Sequence, residues 1–165
     1  MLKLPDEDTD RDIYKLTGKF LSLHGYNRYE ISNYALNNKE CKHNLTYWNG
    51  GDYIGLGCAA HSLYNGKRSQ HTNDIRQYIV NPYPNIYDEL SYQDKLEEYI
   101  MLRLRLINGF SISDFNTKFG YSILERKKDA INMLLAHDLI IINNDNLRLS
   151  VRGLDVCDSV ILSLI

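Results

Sequence analysis

The sequence predicts an α+β protein in two units, residues 1–85 and 86–165, on three observations. Near the N-terminus apolar residues recur at helical spacing and then give way to a short run of strand formers. A polar segment at 81–85 (NPYPN) holds two of the three prolines and separates that half from one of mainly helical texture. In the second half the apolar runs 139–142 and 147–149 flank Asn143-Asn144-Asp145-Asn146, turn residues that tolerate positive φ.

Element by element, Thr9-Asp10-Arg11-Asp12 fits a capping pattern, and Ile13, Leu16, Phe20 and Leu23 follow until Gly25, so a helix is expected over 9–24. Residues 28–32 (RYEIS) read as a strand, which makes an αβ step. Residues 35–42 are loop-like, and 43–51 (HNLTYWNGG) show no clear period. Residues 52–57 (DYIGLG) read as a strand ending in glycines, 67–72 as a weaker strand, and 74–80 as a short helix. Ser91 is the expected N-cap of a helix carrying Leu96, Tyr99, Ile100, Leu104 and Ile107. Two helices, 113–119 and 121–136, are split by Gly120; the hairpin follows, and a last helix starts after Ser150. Three helices, a hairpin and a closing helix make a winged-helix-like unit, an architecture used by nucleic-acid binders and by enzyme interaction modules alike.

Composition narrows the function classes. With 165 residues, 44% apolar and 24% charged, the chain can bury a core. Its net charge of −2 supplies no global positive field for nucleic acid or anionic lipid. The expected recognition helix mixes Arg126, Lys127 and Lys128 with Glu125 and Asp129, a weak phosphate footprint that argues against DNA binding. No apolar run is long enough for a bilayer, and the first twelve residues are acidic and polar, so neither a membrane span nor a signal peptide is expected. Cys41, Cys58 and Cys157 are far apart and odd in number, which suits free thiols in a reducing, cytoplasmic setting. No CxxC or CxxxCxxC occurs.

The densest chemical constellation is His43, Asn44, Tyr47 and Trp48. A neutral imidazole can ligate heme iron, and large aromatic rings can pack on a porphyrin face. The same residues also read as structure: an indole plugging a core, an asparagine turning the backbone, a histidine bonded to a carbonyl. Cys41 lies two residues before His43, a pair that could hold a soft metal, but no further Cys or His sits at a spacing that completes a zinc site. Gly55 and Gly57, followed by His61, allow either close approach of backbone to a ligand or a tight turn. Glu30 is a lone strand carboxylate, a proton carrier if it faces a pocket and a solvated side chain otherwise.

Taken in order, YEISNYA (29–35), HNLTYW (43–48), DYIGLGCAAHS (52–62), Gly66 with Arg68, and Asn73 with Tyr78 resemble consecutive motifs of the radical-SAM oxygen-independent coproporphyrinogen III oxidase family. Residues 91–165 are similar to that family's C-terminal helical domain. The resemblance implies the C-terminal part of an incomplete TIM-like (β/α) barrel followed by a mainly helical, winged-helix-like C-terminal domain, with 29–32 as a late barrel strand. It also implies SAM and a 4Fe-4S cluster in the whole protein. The CxxxCxxC that binds such a cluster is absent here, so this chain is expected to be inert for SAM cleavage.

Within the family, HNxxYW resembles the signature of the heme-chaperone (HemW-like) branch, and residues 43–48 match it without substitution. The resemblance implies binding of heme and its transfer to acceptor proteins, with His43 as iron ligand and Asn44, Tyr47 and Trp48 beside it. Gly55, Gly57, His61 and Glu30 are second-tier candidates lining the cofactor cavity. Two other readings stay open: part of a true coproporphyrinogen III oxidase of porphyrin biosynthesis, and a protein- or DNA-binding winged-helix module. Loss of the early barrel strands would bare a sheet edge and apolar helix faces, so self-association is expected as well.

Overall fold

The computed structural model describes residues 4–84 and 86–165. The first three residues of the acidic leader and Asn85, the last residue of the expected linker, lie outside the described residues. The chain forms two compact units that divide after Cys41.

In the first unit, α1 spans Glu7–Leu23 and is capped by Asp6, whose carboxylate accepts the Thr9 N–H at 2.8 Å. The expected cap at Thr9 is therefore displaced by one turn. Glu7, Asp8 and Asp10 crowd the first turn, where negative charge complements the helix dipole. After Gly25 (φ +81°), β1 (Asn27–Arg28) pairs antiparallel with β2 (Tyr34–Ala35). The continuous strand expected over 28–32 does not form. Glu30 accepts the Ser32 N–H at 3.0 Å and Asn33 Nδ2 at 2.6 Å, and these local bonds close the chain into a turn instead of extending it.

The second unit opens with α2 (Lys42–Trp48), where the sequence showed no clear period. Thr46 Oγ1 bonds back to the Lys42 carbonyl at 2.9 Å, and Gly50 (φ +60°) turns the chain at the end. β3 (His61–Tyr64) and β4 (Lys67–Gln70) form a hairpin, and β5 (Ile86–Glu89) adds antiparallel to β4 across residues 81–85. Asn65 (φ +50°) and Gly66 (φ +71°) supply the two left-handed positions of a tight turn. Residues 52–57 are not a strand: only Tyr53 bridges, to Leu63. α3 (Ile75–Val80) is capped by Asp74, which accepts the Arg76 N–H at 2.8 Å.

α4 (Tyr92–Arg103) starts in a reciprocal capping box between Ser91 and Asp94. It ends four residues short of Ile107. β6 (Phe110–Ser111), α5 (Ile112–Phe119), α6 (Ile123–Arg126) and α7 (Lys128–Ala136) follow, so the single helix expected over 121–136 is broken at Lys127. β7 (Ile140–Asn143) and β8 (Asn146–Leu149) form the expected hairpin, with β6 added to give an antiparallel sheet of order β6-β8-β7. Ser150 caps α8 (Val151–Asp155), and α9 (Cys157–Leu164) closes the chain.

The core of this half gathers Ile100, Leu104, Phe115, Ile123, Leu134, Leu147 and Leu164, each fully buried. Phe115 sits among the rings of Tyr99, Phe110, Phe119 and Tyr121 at 4.8–5.7 Å. Gly153 lets α8 cross Leu139 closely, since a β-carbon there would stand 1.9 Å from the Leu139 carbonyl oxygen.

Candidate functional site

Helix α2 divides the HNLTYW residues between two surroundings. His43 and Tyr47, one turn apart, share a face. The exposed imidazole meets the Tyr47 ring edge-on at 4.9 Å, and Tyr47 in turn meets Tyr53 at 4.5 Å. Burial pushes the Tyr53 phenol above its ordinary value, and the Arg68 charge partly offsets this. Trp48 lies beside Tyr99, Leu102 and Arg103 of α4, and the guanidinium of Arg105, just beyond that helix, lies 5.8 Å over its ring; its indole N–H is buried without a hydrogen-bond partner among the described residues. Asn44 is half-buried and engaged in the structure.

The second-tier residues separate as well. Gly55 donates its N–H to Ser62 Oγ at 3.0 Å, and a β-carbon on it would lie 2.2 Å from the His61 carbonyl oxygen. Packing against β3 is enough to require that glycine. Gly57 has φ +114° with open space where a β-carbon would stand, so its glycine answers to conformation. His61 is exposed at the start of β3. Tyr53 joins the two groups: its ring contacts Tyr47, and its backbone exchanges hydrogen bonds with Leu63, two residues beyond His61.

Glu30 belongs to the first unit, where it is 1% exposed. It is neither solvated nor part of a strand, because its Oε1 oxygen serves the turn made with Ser32 and Asn33.

Among the described residues, no three His, Cys, Asp or Glu side chains come together as a metal site. Cys41 is exposed, Cys58 donates its thiol to the Thr72 carbonyl at 3.2 Å, and Cys157 is buried with its thiol pushed up by desolvation. These cysteines do not fit a 4Fe-4S cluster, and no step through that cluster is assigned to this chain.

Sequence reasoning missed Tyr53 and His71. His71 is buried against Tyr78 at 5.4 Å, and its Nδ1 has no partner among the described residues. Asn65-Gly66 was the available signal for the hairpin that presents both the Tyr53 bridge and His71.

Residues 90–156 match the HemN C-terminal domain family. The chain is 30% identical over 163 residues to a protein of Lactococcus lactis named heme chaperone HemW, covering 97% of this chain and 43% of the relative. It is 44% identical over 145 residues to the heme chaperone HemW of Buchnera aphidicola from Schizaphis graminum, covering 79% of this chain and 37% of that one. The chain thus spans about two fifths of the length of the curated relatives it matches. Its fold matches that of the Escherichia coli coproporphyrinogen III oxidase HemN, described as a radical SAM enzyme, with a TM-score of 0.76 and 14% identity over 98% of this chain and 42% of that one. These likenesses define a class that shares the HemN fold and its C-terminal domain. Within it, the chain belongs to the HemW-like branch and corresponds to a C-terminal portion.

No helix among the described residues is long and apolar enough to cross a membrane.

Proposed function

We propose that this chain carries the heme-contacting element of a cytoplasmic heme chaperone, with His43 as the iron ligand. The observation that carries the reading is the exposed His43 imidazole, set one helical turn from Tyr47 and held edge-on to its ring at 4.9 Å. A ring contact of this kind restrains the imidazole and contributes about 0.5–1.5 kcal/mol. The exposed position leaves a ring nitrogen free to donate its lone pair to iron and lets an acceptor protein reach the heme. Asn44, Tyr47 and Trp48 complete the element, with Tyr47 offering an apolar face on the His43 side. Gly57 and His61, close in sequence to the Tyr53 bridge, are the second-tier residues whose placement suits a ligand; Gly55 and Glu30 act in packing.

SAM and a 4Fe-4S cluster belong, in this reading, to the longer parent, where they would supply radical chemistry. This chain's part is to bind and present the heme. Residues 1–85 are read as the end of an incomplete (β/α) barrel and 86–165 as a winged-helix-like domain, with α5 to α7 ahead of the β7–β8 wing. A DNA-binding role for that domain is not favoured: Arg126 lies over the Tyr121 ring at 4.5 Å, and Lys127 Nζ donates to the Ile165 carbonyl at 2.6 Å. Of the three cations of the expected recognition helix, Arg126, Lys127 and Lys128, two are thus already engaged.

The test is a heme titration followed by visible absorption, on wild type and on His43→Ala. A saturable Soret shift lost in the variant supports the reading; identical behaviour removes His43 as the ligand. The likeness to coproporphyrinogen III oxidase keeps a second reading, in which the parent decarboxylates propionate side chains. Product analysis on the full-length protein separates the two, because a chaperone leaves coproporphyrinogen unchanged.

A further inference from the structure

Behind Trp48, on the side of α2 away from His43, lies a cavity of about 300 Å³ between the end of α2, the β3–β4 hairpin, α4 and α5. Its walls are apolar and aromatic, from Trp48, Leu63, Tyr99, Leu102 and Phe119. Three cations, Lys95, Arg103 and Lys118, stand at its edge. The carboxylate on its wall, Glu98, is bonded by the Arg68 guanidinium, so it does not neutralise them.

Two of the cations are held in place. Arg103 donates to Asn49 Oδ1, with its guanidinium 5.2 Å over the Tyr99 ring, and Lys118 Nζ lies 5.0 Å from the same ring. Cation–ring contacts keep these charges close to the apolar wall, where they are less screened than in open solvent. A concave apolar site of this size with a few convergent polar groups is the common form of a small-molecule pocket.

We propose that this cavity is a second binding site, for a flat amphipathic anion: an aromatic or conjugated ring against Tyr99, Leu102 and Phe119, with its carboxylate toward Lys95, Arg103 and Lys118. The site shares Trp48 with the His43 element but does not include His43, and it does not require iron. Its ligand is either a free aromatic carboxylate of one or two rings or the carboxylate-bearing edge of a tetrapyrrole.

Trp48 is the single tryptophan of the chain, so its indole N–H gives one isolated resonance that reports on the cavity wall. The full chain, isotopically labelled, is titrated with 1-naphthoate and separately with the neutral 1-naphthalenemethanol. Naphthoate is expected to shift the Trp48 indole saturably and to bind more tightly than the alcohol. Lys95→Glu with Lys118→Glu, both at exposed positions, should weaken naphthoate at least about tenfold and leave the alcohol unchanged, while His43→Ala binds both probes as wild type does. The amide spectrum checks the fold of the double variant; if it is unfolded, Lys118→Gln replaces it, with about threefold weakening expected.

An indole resonance unmoved by naphthoate, or equal binding of the two probes that the charge reversals do not alter, overturns the proposal. Metal-free protoporphyrin IX then separates the sources. Competition with naphthoate assigns the site to a tetrapyrrole edge, and its absence to a free aromatic carboxylate.

Discussion

Tyr47 lies between His43 and Tyr53, its ring 4.9 Å from the imidazole and 4.5 Å from the phenol, with both contacts edge-on. The helix that brings His43 and Tyr47 together thus anchors its exposed face on the loop that leads into β3. The orientation of the candidate iron ligand depends on that loop.

Tyr47→Ala should therefore weaken heme binding by about threefold to tenfold without abolishing it, the loss expected for one aromatic contact. Tyr47→Phe should bind as wild type, since the ring and not the hydroxyl makes the contact. Parallel Soret titrations check both.

Gly55→Ala should destabilise the second unit by about 1–3 kcal/mol, because its new methyl would meet the His61 carbonyl oxygen at 2.2 Å and part the Tyr53–Leu63 bridge. Urea unfolding of the apo protein reads this effect. A variant as stable as wild type would show that the glycine is not there for packing.

Phe115→Ala should cost about 3–5 kcal/mol, since the ring is 0% exposed and surrounded by four others. Thermal unfolding followed by far-UV circular dichroism would record the loss.

Asp145 joins the hairpin turn to the start of α5. It accepts from Ser111 Oγ at 2.6 Å and from the Ser113 N–H at 2.9 Å, and these bonds hold its carboxyl below the ordinary 3.8. A depressed folded pKa stabilises the fold above the unfolded value, and this contribution disappears as pH falls through the folded one. Asp145→Ala should lower the urea midpoint at neutral pH and match wild type at the acid end. A constant difference at every pH would rule out this ionisation as the cause.

On α1, Ile13, Leu16, Phe20 and Leu23 are 51–77% exposed and recur at helical spacing. A second copy of the chain covering this stripe would remove it from water, so concentration-dependent self-association is expected. Leu16→Glu with Leu23→Glu should restore a monomer in sedimentation velocity. Wild type that stays monomeric over a wide concentration range would rule it out.

The sequence by itself determined what short-range chemistry decides. The Ser91 cap of α4, a short helix near 74–80, the stop of α1 at Gly25 and the β7–β8 turn each need only residues within a few positions, and each was legible there; the Asp94 half of the capping box and the Asp74 cap were not singled out. The HNLTYW element was legible as a set of residue types in order, which also carried the family. Its helical form was not, because six residues show no period and α2 is held by contacts to Tyr53 and α4. Tertiary structure alone turned His43 outward and Trp48 inward, buried Glu30 in a turn, joined β5 to β4 across the proline segment, and built the cavity from four separate elements. Those outcomes rest on pairings and packing between distant residues, which only the folded chain brings within van der Waals and hydrogen-bond range.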